Sequence, residues 1–249
     1  MQSDINFERD KGIMDDVRLK SLHEFEEIIN YKFLDKQLLN TALTHSSYAR
    51  GQEDHQPYNE RLEFLGDSIL SMIISFHLFS RLKDISEGQM TRIRANIVCE
   101  KSLYDIAKRL KIGDYIYLSK GEENTGGRKR VSILADAVEA LIAAIYLDGG
   151  MEKAEKFVLT VMKENIESSI KNRMYNDYKS FLQEYVQKHN MGIIEYKLLS
   201  ERGPDHSKEF QMAVFLNDKL IGEGTGKSKK DAQQSAARNA IASIGLIHE

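Results

Sequence analysis

Apolar residues recur every three or four positions through roughly the first 170 residues, the period of helices that bury one face, and Pro57 is the sole proline there. This portion is expected to be all-α. From Met191 the period shortens to two. Ile194, Tyr196 and Leu198 alternate with Glu195 and Lys197, and Phe210, Met212, Val214 and Leu216 alternate with Gln211 and Ala213, which predicts two strands. A third, shorter strand is expected over 220–224 after a turn at Asn217-Asp218, then an alanine-rich helix over 228–244. With a helix over 179–188 ahead of them, these elements make an α+β domain of order α-β-β-β-α. The polar stretch 168–177 carries no apolar period and separates the two textures. The expected organisation is a flexible tail over 1–20, an all-α domain over 21–168, a linker over 169–176 and the α+β domain over 177–249.

Two helical segments carry acids among apolar neighbours. In the first, opened by Pro57 with Asn59 as the expected N-cap, Glu60, Glu63 and Asp67 fall within about 60° on a helical wheel, while Leu62, Leu65, Ile69 and Ile73 fill the other side. The second is expected to run from Ser132 to a glycine stop at Gly149-Gly150 and sets Asp136 and Glu139 on a stripe continued by Ala140 and Ala143. Small residues beside acids let another helix approach. If that neighbour is the first acidic helix, Glu63, Asp67, Asp136 and Glu139 converge on one small volume.

Two like charges about 4 Å apart repel by about 1 kcal/mol in water and about 4 kcal/mol at an effective dielectric near 20, so convergence calls for a cation. Oxygen-only ligands suit hard Mg²⁺ or Mn²⁺ rather than zinc, and such an ion can activate water for phosphodiester hydrolysis. An isolated acidic pair on a helix is more often a solvated face or a salt-bridge partner. Here the acids interrupt strongly apolar helices, where a solvated stripe leaves little room for packing. For Glu60, pairing with Arg61 or another base stands as an equal alternative to a role at the metal.

Composition narrows the classes. Hydrophobic residues at 41% and charged residues at 29% suit a soluble globular chain and exclude wholesale disorder. The single cysteine, Cys99, excludes an intramolecular disulfide and agrees with a reducing cytoplasm. The first twenty residues lack the apolar run of a signal peptide, and the longest uninterrupted apolar stretch, 140–147, is too short for a bilayer span, so no membrane association is expected. A net charge of -3 and a pI near 6.2 argue against a non-specific nucleic-acid coat, so any such contact must be local.

The strings NERLEFLGDS over 59–68 and GGRKRVSILADAVEALIAAIYLDGG over 126–150 closely resemble the ribonuclease III family of bacterial type. LLNTALTHSSY over 38–48 and EGQMTRIRA over 87–95 resemble the same family's catalytic domain. Tyr58 stands where many members have histidine, a departure that changes neither the acids nor the helix register. The resemblance implies an all-α endonuclease domain followed by a double-stranded RNA-binding domain, together a Mg²⁺-dependent hydrolase of duplex RNA. It implies that Glu63, Asp67, Asp136 and Glu139 bind the metal, with Asp67 and Glu139 catalytic and Asp67 aligning the attacking water. It further implies that Glu60 supports the site or a dimer interface and that Glu87 lies near the partner's metal site. Members form homodimers whose two centres each cut one strand, leaving staggered ends with 5′-phosphate and 3′-hydroxyl, and processing of rRNA and mRNA precursors is the expected role. Arg128 and Arg130, in the loop before the second acidic helix, are candidates for phosphate contacts, with ordinary loop charge as the even alternative.

The α-β-β-β-α domain resembles the double-stranded RNA-binding domain, which reads A-form shape rather than base sequence. Gln183 and Glu184 on its first helix suit ribose hydroxyls, the turn ending in His206 suits the next minor groove, and Lys227, Lys229 and Lys230 crowd the start of the last helix, where phosphates are favoured. Two rivals were weighed. A non-catalytic duplex-RNA-binding protein would have lost one or more of the four acids, and all are present. The string Gly222-Glu223-Gly224-Thr225-Gly226-Lys227-Ser228 looks like a phosphate loop, but Ile221 occupies the position of its first glycine, so no nucleotide cofactor is expected.

Overall fold

The computed structural model describes residues 14–50, 56–83, 85–176, 178–204 and 208–244. The chain parts into two compact units between Glu167 and Ser168. The first is helical: α1 (Asp16–Ile29), α2 (Lys36–Ala42), α3 (Ser46–Ala49), α4 (Glu60–Arg81), α5 (Glu87–Ile97), α6 (Glu100–Arg109), α7 (Ile112–Tyr115), α8 (Lys120–Asn124) and α9 (Val131–Val161). A short 3-10 turn, Gly127–Lys129, precedes α9. Helix α10 (Lys163–Asn176) crosses the division. The second unit holds α11 (Tyr178–Lys188), β1 (Ile194–Arg202), β2 (Glu209–Leu216), β3 (Lys219–Gly226) and α12 (Lys229–Ser243).

Helix α9 is the axis of the first unit. Between 133 and 145 every residue is buried except Asp136 and Glu139, the pattern of a core helix covered on all sides. α4 lies against it through Leu62, Ile69, Leu70, Ile73 and Ile74, and α6 through Leu103, Ile106 and Ala107. At Gly150 the backbone turns to φ 79°, ψ -179°, a conformation natural to glycine, so helical geometry does end at the expected stop but resumes directly beyond it. Just before this kink, Asp148 accepts from Tyr31 Oη (2.8 Å) and from the backbone N–H groups of Leu34 (3.0 Å) and Asp35 (2.8 Å). By length and composition α4 could cross a membrane, yet its first two turns carry Glu60, Glu63 and Asp67.

Two expectations need correction. Residues 16–20 belong to α1 rather than to a tail, because Arg18 is buried and its guanidinium donates to Asn40 Oδ1 (2.7 Å), Tyr115 O (2.6 Å) and Leu43 O (3.2 Å) while stacking 3.7 Å above the Tyr117 ring. A buried arginine inside a polar stretch leaves no trace in hydrophobic periodicity. Residues 169–176, read as a linker, are helical within α10. That helix is rooted by Arg109, which pairs with Glu164 (2.8 Å), and by Asn165, which donates to Ser102 Oγ (2.8 Å). Its apolar anchor, the buried Ile166, lies ahead of the stretch read as a linker, which therefore shows little apolar period of its own.

In the second unit the sheet has the order β1-β2-β3 and is antiparallel throughout, with Tyr196 opposite Val214 and Val214 opposite Gly222. Its core comprises Tyr178, Leu182 and Val186 from α11, Met212 and Val214 from β2, and Ala232, Ala236, Ala237, Ala240 and Ile241 from α12. Asn217 and Asp218 take φ of 48° and 65°, the two positive values of a type I′ hairpin turn. β3 is longer than expected, because Gly222, Gly224 and Gly226 carry no side chain to reveal alternation. They are there for contact with α12: a Cβ on Gly222 would lie 2.6 Å from Ala236 O, and one on Gly226 2.5 Å from Ala232 N. The phosphate-loop look-alike is a strand under a helix.

Candidate active site

The site is made by the crossing of α4 and α9. A Cβ on Gly66 would drive into the backbone of Glu139, 2.5 Å from its carbonyl carbon, so only glycine allows the helices this close. Glu63 precedes Gly66 by one turn and Asp67 follows it, while Asp136 and Glu139 occupy adjacent turns of α9. One carboxylate oxygen from each of Glu63, Asp136 and Glu139 lies within 4.8 Å of the other two. Asp67 is exposed on the same stripe and stands outside that closest set, although its charge acts on Glu139.

Electrostatics register the crowding. Burial, then the charges of Asp67, Asp136 and Glu63, pushes the Glu139 carboxyl up to about 8. Burial, then Asp136 and Glu60, raises Glu63; burial, then Glu100, raises Asp136. Glu100 opens α6 and escaped the sequence reading, since an acid in a first helical turn is an ordinary partner of the helix dipole. Among the described residues the charges that act on these three carboxyls are all acidic, a setting that suits a hard divalent cation, which would return each to its charged form.

The remaining positions sort differently. Asn59 stands at the N-cap of α4 but has helical dihedrals and no side-chain cap bond; its main chain accepts from Glu63 N (2.8 Å) and donates to Thr44 O (2.9 Å). Its buried Nδ2 has no hydrogen-bond partner among the described residues. Glu60 is exposed one turn before Glu63. Glu87 is exposed in the first turn of α5, where it accepts from Thr91 Oγ1 (2.8 Å), and the closest acid set does not include it. Arg128 is committed to the protein: its guanidinium donates to the carbonyls of Gly113 and Ile116, both at 2.9 Å, and pairs with Glu123. Arg130 forms an ion pair with Glu122 at 2.5 Å and donates to Thr125 Oγ1 (3.1 Å) but keeps 43% of its side chain exposed.

On the second unit, Gln183 and Glu184 are exposed on α11, away from the buried Tyr178, Leu182 and Val186. Lys227, Lys229 and Lys230 are exposed around the start of α12, where Ser228 Oγ accepts from Asp231 N at 3.1 Å. His206 lies outside the described residues.

The chain matches the family described as Ribonuclease-III-like over residues 35–166 and the Double-stranded RNA binding motif over residues 178–244. A relative named Ribonuclease 3 from Caldanaerobacter subterraneus subsp. tengcongensis is 49% identical over 222 residues, 89% of this chain and 97% of the relative. Another of that name, from Clostridium kluyveri, is 48% identical over 224 residues, 90% of this chain and 91% of the relative. Among solved structures, a nuclease domain of ribonuclease III from Campylobacter jejuni, described as flexible in a region involved in dimer formation, aligns with a TM-score of 0.55 at 41% identity. That alignment covers 59% of this chain and 99% of the other.

Proposed function

The chain belongs to the ribonuclease III family and is an endoribonuclease acting on double-stranded RNA; from that premise we propose that it works as a Mg²⁺-dependent homodimer in the cytoplasm and leaves staggered ends with 5′-phosphate and 3′-hydroxyl. The observation that carries the proposal is the cluster of Glu63, Asp136 and Glu139 at the glycine crossing. These three, with Asp67 beside them, would hold a divalent ion, for which Mn²⁺ is a natural substitute. When bound, the ion supplies a water of lowered pKa and charge stabilisation for the departing oxygen. Asp67, beside the cluster and open to solvent, accepts a hydrogen bond from the attacking water and so aligns it with the phosphorus. Glu60, whose charge one turn away raises the Glu63 carboxyl, supports the metal-loaded site or the dimer interface.

Binding falls to the second unit. The exposed lysines 227, 229 and 230 meet phosphates while Gln183 and Glu184 reach ribose hydroxyls, so the duplex is chosen by shape. A second copy covers the stripe on α4 formed by Phe64, Met72, Phe76 and Phe79, which are 51% to 80% exposed and too large an apolar surface to leave in water. Glu87 then serves the partner's centre, and precursor rRNA and mRNA duplexes are the substrates. The test is incubation of long duplex RNA with the protein and with Glu139→Gln, each with Mg²⁺ or EDTA. Cleavage is expected only for the unaltered protein with Mg²⁺, while the variant binds without cutting. Full cleavage by the variant refutes the assignment of Glu139.

A further inference from the structure

The loop leading into α9 is tied down at both ends by groups that cleavage does not use. At one end Arg128 grips the carbonyls of Gly113 and Ile116. At the other, Ser119 N–H donates to Ser47 Oγ (3.1 Å), and Ser119 Oγ accepts from Glu122 N (3.2 Å) to cap α8. Ser47 Oγ is 2.8 Å from His45 Nδ1, which also accepts from Ser47 N (3.2 Å) as the N-cap of α3. His45 is itself braced, since its N–H donates to Tyr117 O at 3.0 Å and Tyr117 N–H donates to Leu43 O at 2.8 Å.

Hydrogen-bond polarity decides the protonation state of this ring. A backbone N–H can only donate, so Nδ1 must present a lone pair and the ring proton sits on Nε2. Ser47 Oγ then donates to Nδ1 and keeps a lone pair for Ser119 N–H. An imidazolium would turn Nδ1 into a donor facing Ser47 N–H, which would then lose its acceptor, and α3 its cap. Among the described residues, the charged groups that act on the ring are Glu60 from α4, Glu122 from α8, Arg130 ahead of α9 and Arg50 at the end of α3. Partial burial outweighs the two carboxylates and holds the imidazole below its ordinary range.

We propose that neutral His45 is a positioning residue, which through Ser47 and Ser119 sets the loop 119–130 and with it the exposed Arg130, and that Arg130 meets an RNA phosphate. The inference rests on the cleavage reading above and adds a group that never touches substrate. Because the neutral ring is required, the arrangement is complete above about pH 6.5 and is lost as pH falls through the lower value of the folded protein.

The test uses the full chain in EDTA. Hydrogen exchange over 117–130, corrected for intrinsic rates, and duplex-RNA binding are measured in steps from about pH 7.5 down to about pH 4. His45→Ala removes the acceptor, His45→Asn keeps a capping acceptor that cannot titrate, and Ser47→Ala removes the relay while sparing the ring. At about pH 7.5, His45→Ala and Ser47→Ala are expected to exchange about tenfold faster in this loop and to bind RNA about three- to tenfold more weakly, with His45→Asn close to the unaltered protein. As the pH falls the unaltered loop opens and that of His45→Asn stays closed. Comparison at a single pH cancels the titration of the acid cluster and of other histidines. If His45→Ala does not fold, Ser47→Ala carries the experiment. Unaltered loop protection in His45→Ala and Ser47→Ala, a loop of the unaltered protein that stays closed as the pH falls, low-pH opening in His45→Asn, or a loosened loop with unchanged RNA affinity overturns the proposal. Failure of the unaltered protein to cut with Mg²⁺ would instead remove the cleavage reading, since neither measurement here involves metal.

Discussion

Replacing Glu139 by glutamine should stabilise the metal-free protein, increasingly as pH rises above about 5 and fully above about 8. The side chain is pushed up to about 8 by burial and by Asp67, Asp136 and Glu63, so the folded state prefers its neutral form. A carboxyl raised in the folded state helps folding fully below its unfolded value near 4.5, and that help is lost as pH climbs through about 8. The gap between those values is worth up to about 5 kcal/mol at pH 9, and partial contact with solvent reduces this to about 2 kcal/mol. For a unit of this size, about 2 kcal/mol moves the melting transition by roughly 4 to 8 °C. Calorimetry in EDTA from about pH 5 to about pH 9 is the assay. The first-unit transition of the unaltered protein should fall with pH relative to Glu139→Gln, the two should coincide near pH 5, and saturating Mg²⁺ should stabilise the unaltered protein far more than the variant. Parallel pH curves, or a variant less stable near pH 9, would mean that the acids do not repel one another and that no ion is needed between them.

Gly66→Ala should force α4 and α9 apart, costing about 1–3 kcal/mol in denaturant titrations and weakening Mn²⁺ binding measured by calorimetry. A result within error of the unaltered protein on both counts would remove the crossing as the device that assembles the site. Replacing Lys227, Lys229 and Lys230 together by glutamine should lower the slope of log affinity against log salt by about 2–3, with cleavage retained at low salt. Phe76→Glu places a charge on the apolar stripe of α4, and sedimentation should then report a monomer; an unchanged dimer would place the interface elsewhere.

Local pattern made much of this protein legible. The change of period from three or four to two separated a helical unit from an α-β-β-β-α unit, and the acids could be placed on particular helix faces because side-chain direction follows from backbone geometry alone. The glycines of β3 imitate a phosphate loop in composition but not in spacing, and their use is to admit the backbone of α12. Other features left no local trace. The buried Arg18, the polar helix α10 and the charge of Glu100 on Asp136 depend on partners far away in the chain, so no window of neighbouring residues contains them. Spacing along the chain thus settled which side chains share a face, because a helix imposes that by its own geometry. Which faces meet, and therefore that Glu63, Asp136 and Glu139 form the closest set while Asp67 stands just outside it, was decided by packing, at the one glycine where two helices can touch.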